Sequence, residues 1–238
     1  MKKTILFFAI ISILCSLTGC NTFKDTPETD AAFAAYEDAV LQTIAHKKGS
    51  ITVATETKST VGEESNTLGV IEYSFTTDEE NRVSFERNDY ANSELVASYY
   101  GDGKAAYQMD FSSGEWLDVT EDSANMLEHD KNYFNTLSLF RIDNQFRYSK
   151  HFLESVLLEE AAGEKVITFT LKNSAVTDML DFTDKKGVHR KMASQTREYY
   201  VNQEGDIQRI VINTMQDVLY EGKQGTLSSV LTVTTDYE

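Results

Sequence analysis

The chain is poor in cysteine (2), proline (1), tryptophan (1) and positive charge, with 22 lysines and arginines against 38 aspartates and glutamates in 238 residues. Each shortage excludes something. The formal charge of −16 repels nucleic acid and opposes lying flat on an anionic bilayer. It suits a soluble, monomeric surface or a basic partner. A single proline and no low-complexity stretch leave no recognisable linker, so the bulk of the chain reads as one β-rich domain. No apolar run reaches the roughly 20 residues of a membrane-spanning helix. Catalytic and metal signatures are missing too. There is no G-x-S-x-G, no P-loop, no H-E-x-x-H and no acidic calcium loop. The four histidines (46, 129, 151 and 189) have no helical metal-pair spacing. Nothing here calls for a cofactor or a metal, and the chain does not read as an enzyme.

What is present begins at the N-terminus. Met1-Lys2-Lys3 precedes an apolar segment from Ile5 to Leu17, which closes on Leu17-Thr18-Gly19-Cys20. A basic start, a short apolar stretch and small residues before the cut form an export signal, and L-T-G-C is the lipobox pattern. Leu17, Thr18 and Gly19 are the expected signal-peptidase recognition residues. Cys20 is the expected lipidation site, a diacylglyceryl thioether holding the protein to the outer face of the cell membrane. Cleavage removes Lys2, Lys3 and Cys15, and lipid occupies Cys20. That leaves no disulfide, no zinc-thiolate site and no cysteine nucleophile. Residues 20–29, with Pro27, read as a tether, and residues 30–238 as the folded domain.

Asp30 is placed to cap a helix running to about Lys48, with Phe33, Tyr36, Val40 and Ile44 on one face. His46, Lys47 and Lys48 fall where positive charge complements the helix dipole, and Gly49 is a plausible stop. From Ser50 the period changes to two: Ile51 to Thr55, then Ile71 to Phe75, Val83 and Phe85, Leu95 to Tyr100, and Ala105 to Phe111. Asp102-Gly103 is a strong hairpin signal in which both central positions favour positive φ. Further turns are expected at Asp78–Asn81 and Ser112–Gly114, with a short strand opening at Trp116. Residues 121–152 break the alternation and fit two short helices. Strands resume at 153–160 and 167–171, a short helix follows Asn173 or Ser174, and the rest reads as hairpins. The expectation is about ten strands and three or four helices.

Two clusters stand out as candidate sites. Phe134, Leu137, Phe140 and Phe146 concentrate apolar surface in the irregular segment. They fit either a lid over an apolar cavity or helices simply covering the sheet. Lys185, Lys186, Arg190 and Lys191 form the one basic stretch. They fit either contact with an anionic headgroup or an exposed connection.

The order of elements resembles the LolA/LppX-like lipoproteins. The lipobox and a single helix lead into the strand Ser50–Thr57. Asp102-Gly103-Lys104, Tyr107, Gly114 and Trp116 resemble a D-G-K-x-Y…G-x-W run, and Tyr200-Val201-Asn202 with Gly205 and Ile207 resembles a late Y-V-D-x-x-G-x-I hairpin. The resemblance implies an α+β fold: a strongly curved antiparallel half-barrel whose concave face is covered by the N-terminal helix and a central helical insertion. It also implies a non-enzymatic protein that binds an apolar or amphiphilic ligand, on a Gram-positive type of surface. The alternative is an envelope interaction or sensor module with a solidly packed core.

Overall fold

Thr26 starts the ordered architecture. Its side chain accepts from the amide of Thr29, while the Thr29 hydroxyl receives the Thr26 amide, and Pro27 takes the first helical position. This capping box sets helix α1 at Pro27–Thr43, with its cap four residues ahead of the expected Asp30 and inside the expected tether. The computed structural model describes residues 23, 25–61, 64–80, 82–121, 152–161, 163–180, 189–220 and 222–238.

The helix also stops early. Thr43 Oγ1 donates to Ala39 O at 2.7 Å and accepts from the Ile207 amide at 2.8 Å. One buried hydroxyl thus ties the last turn to the sheet. His46, Lys47 and Lys48 therefore lie beyond the helix, and Gly49 sits in a strand. The buried positions are Ala32, Tyr36, Ala39 and Thr43, with Phe33 and Val40 packed alongside. Ile44 is 45 % exposed. Three of the four expected stripe residues, Phe33, Tyr36 and Val40, thus face the core, and Ala32 and Ala39 take the place expected of Ile44.

The strands are β1 (Lys48–Ser59), β2 (Ser65–Thr77), β3 (Val83–Ala91), β4 (Glu94–Asp102), β5 (Ala106–Asp110), β6 (Glu115–Asp118), β7 (Leu153–Ala161), β8 (Glu164–Leu171), β9 (His189–Val201), β10 (Ile207–Tyr220) and β11 (Lys223–Tyr237). Helix α2 (Asn173–Leu180) lies between β8 and β9 in sequence and packs on β9. The eleven strands form one open, curved antiparallel sheet in the order β6-β5-β4-β3-β2-β1-β11-β10-β9-β8-β7. It is an α+β fold of two meanders, β1–β6 and β7–β11, joined where the first strand pairs with the last. That seam is long: Val53 faces Val233 on one side and Ile71 on the other.

Period-two burial separates the two faces. Ile51, Val53, Tyr73, Phe75, Phe85, Tyr199, Ile210 and Val233 are buried, while Thr52, Ser74, Glu86 and Thr234 are exposed. Phe85 lies over Gly101, where an added Cβ would meet its ring at 2.3 Å.

The turns carry a correction. At Asp102-Gly103 only the glycine has positive φ (84°). The Asp102 carboxylate instead accepts from the amides of Lys104 (2.9 Å) and Ala105 (2.8 Å). The two-position positive-φ turn occurs at Asn92 (49°) and Ser93 (70°), joining β3 to β4. Asn92 Oδ1 accepts the Leu68 amide at 3.0 Å, which helps hold a conformation asparagine tolerates better than most residues.

Candidate functional site: the concave face

Helix α1 covers one wing of the inner face. Tyr36 meets Phe169 at 5.3 Å and Tyr199 at 4.9 Å between ring centroids, both edge-on. Phe33 meets Phe169 at 5.6 Å, and Phe23 meets Phe33 at 6.1 Å. Edge-to-face pairs of this kind add to the burial of the rings themselves. The rows beneath are Ile167, Tyr199, Ile210 and Val233, all fully buried.

Two residues further along β9, the same face turns polar. β9 presents Ala193, Gln195 and Arg197 in phase with Tyr199, opposite Gln216, Thr214 and Ile212 of β10. Arg197, 3 % exposed, donates from Nε at 2.8 Å and from Nη2 at 2.6 Å to Gln195 Oε1. Gln195 Nε2 reaches Thr214 Oγ1 at 2.9 Å. Ser229 of β11 and Thr57 of β1 continue this band across the sheet. The other wing repeats the contrast on a smaller scale. Arg87 forms a two-point ion pair with Asp89 at 2.7 and 2.8 Å and lies 5.4 Å over the Tyr99 ring, next to the buried Tyr73 and Phe85. The concave face is therefore amphiphilic, with apolar rows running into polar ones.

The end of the face beyond the apolar rows is closed by side-chain contacts. His46 Nε2 and Asp206 Oδ1 are 2.8 Å apart, and the His46 ring stacks on Tyr237 at 4.5 Å. Thr235 donates to Ile207 O at 2.6 Å, and Gln42 to Glu204 O at 2.8 Å. Burial, helped by the charge of Asp206 and opposed by a hydrogen bond with Thr235, pushes the Tyr237 hydroxyl up to about 12. An unfolded tyrosine ionises near pH 10. Between those values the unfolded chain loses a proton that the folded chain keeps. Stability present below pH 10 is thus lost as pH rises toward 12, by about 3 kcal/mol at most. Denaturant midpoints measured from pH 9 to 12 should fall less steeply for Tyr237→Phe than for the natural chain. Parallel slopes would remove Tyr237 as the cause.

On the opposite face a groove of about 440 Å³ crosses β11, β1, β2, β3 and β4. Ser50, Ser74, Thr76, Ser84, Glu86, Tyr100 and Asp236 line it, with the Lys48–Glu238 ion pair at one end. Beside it, Tyr100 stacks on Tyr107 at 4.6 Å and meets Trp116 edge-on at 4.7 Å. Among the described residues no group of three His, Cys, Asp or Glu is placed to hold a metal. Nor is any helix there long and apolar enough to cross a membrane.

The residues expected to matter from sequence fall mostly elsewhere. Leu17, Thr18, Gly19, Cys20, Phe134, Leu137, Phe140, Phe146, Lys185 and Lys186 lie outside the described residues. Arg190 and Lys191 belong to β9, where Arg190 pairs with Val218. The end of the basic stretch is thus a strand and not a connection. Sequence reasoning missed Gln195, Arg197, Thr214 and Gln216. Their signal was phase: Ala193, Gln195, Arg197, Tyr199 and Val201 share one parity, and their apolar members mark it as the inner one.

No protein-family model and no curated protein sequence matches the chain. Solved structures align with it at low identity. The lipoprotein LppX of Mycobacterium tuberculosis aligns over 87% of this chain and 94% of its own, at 13% identity and a TM-score of 0.37. A LolA superfamily protein of Nitrosomonas europaea aligns over 87% and 93%, at 8% identity and 0.29. A putative outer membrane lipoprotein-sorting protein domain of Vibrio parahaemolyticus aligns over 86% and 93%, at 9% and 0.25.

Proposed function

We propose that this is a lipid-anchored extracytoplasmic protein that binds an apolar or amphiphilic ligand against the concave face of its sheet, without catalysing a reaction. The observation that carries the reading is the amphiphilic concave face itself. Apolar rows continue past the edge of α1 into Ile71, Leu231 and Val53, and then into a band of hydrogen-bonding side chains. An alkyl chain gains about 0.8 kcal/mol for each methylene it buries on such rows, while its polar end needs partners that the band supplies.

In this reading residues 1–19 are the export signal, and lipid on Cys20 is the anchor on a single-membrane surface. The anchor holds the domain close. Phe23 already packs against Phe33 and the core, so only residues 20–22 separate it from the lipid. Three residues extend about 10 Å. A concave face kept that near the headgroups can exchange ligand with the bilayer.

Two variants of one strand test the reading. Ile71 faces inward on β2, packed against the core, and Leu68 faces outward, 39 % exposed. A fluorescent fatty-acid probe should bind the natural domain saturably. It should bind Ile71→Glu at least tenfold more weakly and Leu68→Glu unchanged, with matching circular dichroism spectra. No saturable binding to the natural domain, or equal loss in both variants, would contradict it.

A further inference from the structure

Gln216 is 7 % exposed, and its Oε1 has no hydrogen-bond partner. A buried amide oxygen left unpaired is costly and calls for an absent partner. The neighbouring bonds fix what that partner must be. Arginine has donors only, so Gln195 must turn its oxygen to Arg197 and its amide nitrogen to Thr214. Thr214 then accepts from Gln195, and its own hydroxyl proton must be donated elsewhere. Among the described residues it has no acceptor. Thr214 and Gln216 are two residues apart on one strand and share a face, so a free donor and a free acceptor stand side by side at the end of a directed relay.

We infer that Thr214 and Gln216 form the head-group subsite of the concave face, and that it takes the uncharged hydroxyl of a neutral amphiphile. This inference rests on the ligand-binding reading above. A hydroxyl gives its proton to Gln216 Oε1 and takes the proton of Thr214. A carboxylate has no proton to give and brings its charge against a carbonyl oxygen. The alkyl portion would run from this band onto the apolar rows.

The test is competition of dioleoylglycerol, its O-methyl ether and oleate against a fluorescent acyl probe. It uses the natural domain and the variants Gln216→Leu and Thr214→Val. Gln216→Leu removes a buried oxygen that has no partner, whereas Thr214→Val takes the acceptor from Gln195 Nε2, so the melting temperatures of both variants are measured alongside. Dioleoylglycerol should bind the natural domain about tenfold or more tightly than the ether. Gln216→Leu should bring that ratio to about one while leaving the affinity for the ether in place, and Thr214→Val should weaken both compounds alike, since an ether oxygen also accepts the Thr214 proton. If the three compounds bind the natural domain alike, if oleate binds best, if Gln216→Leu keeps the discrimination, or if Thr214→Val changes neither affinity, the subsite is wrong although the ligand-binding reading stands. If none of the three displaces the probe because the probe itself does not bind, both fall.

Discussion

Replacing Tyr199 with alanine should cost about 3–5 kcal/mol of unfolding free energy, a large share of the stability of an ordinary domain. Its ring is fully buried and packs against two others, Tyr36 and Phe169. It is therefore the point at which helix α1, β8 and β9 share one contact. A cavity there cannot collapse, because β9 is held by β8 on one side and β10 on the other. Guanidinium melts of the natural and Tyr199→Ala domains give the number directly. A double substitution with Tyr36 should show coupling of about 1 kcal/mol, as expected for an edge-to-face pair. A loss below about 1 kcal/mol would place Tyr199 outside the core that holds α1 on the sheet.

The second large effect concerns location. Changing Cys20 to serine removes the thiol proposed to carry the lipid, and with it the proposed anchor; among the described residues no helix is long and apolar enough to cross a membrane. The variant should accumulate as uncleaved precursor or leave the detergent phase in a partition assay. Loss should be near complete, since a hydroxyl cannot replace the thioether. Normal processing with full membrane retention would overturn the assignment of Cys20.

The local architecture was legible in the sequence because its signals are local. The turns after β2 and β5 are held by side chains that bond their own backbone, as Asp78 does to the amides of Glu80 and Arg82, both at 2.9 Å, and Asp110 to that of Ser112. The short helix after Leu171 runs over Asn173–Leu180, where its polar start and apolar end place it. The pairing of β1 with β11 was not legible, since nothing in either strand names a partner so distant along the chain. The ends of α1 were misplaced for a related reason. Asp30 competes on composition with Thr26, and the bond that ends the helix comes from Ile207 of β10, far along the chain.

The candidate site was less legible still. An inner face announces itself by apolar alternation, and Gln195, Arg197, Thr214 and Gln216 interrupt it. β9 is polar on both faces over Ser194–Glu198, so the period-two signal vanishes where the site begins. The concentration of aromatic residues at 134–146 points to a different segment. Among the described residues, the departures from apolar alternation are where hydrogen-bonding capacity collects, as expected when a sheet is built to hold something besides its own core.

The most direct measurement of ligand binding on the concave face is mass spectrometry of an organic extract of the untagged mature domain purified from its own membrane. One neutral, hydroxyl-bearing amphiphile per protein is expected, released by solvent and lost from the Ile71→Glu variant. A natural domain that yields no bound amphiphile, and that takes up none when offered dioleoylglycerol or oleate, would contradict a ligand-binding role.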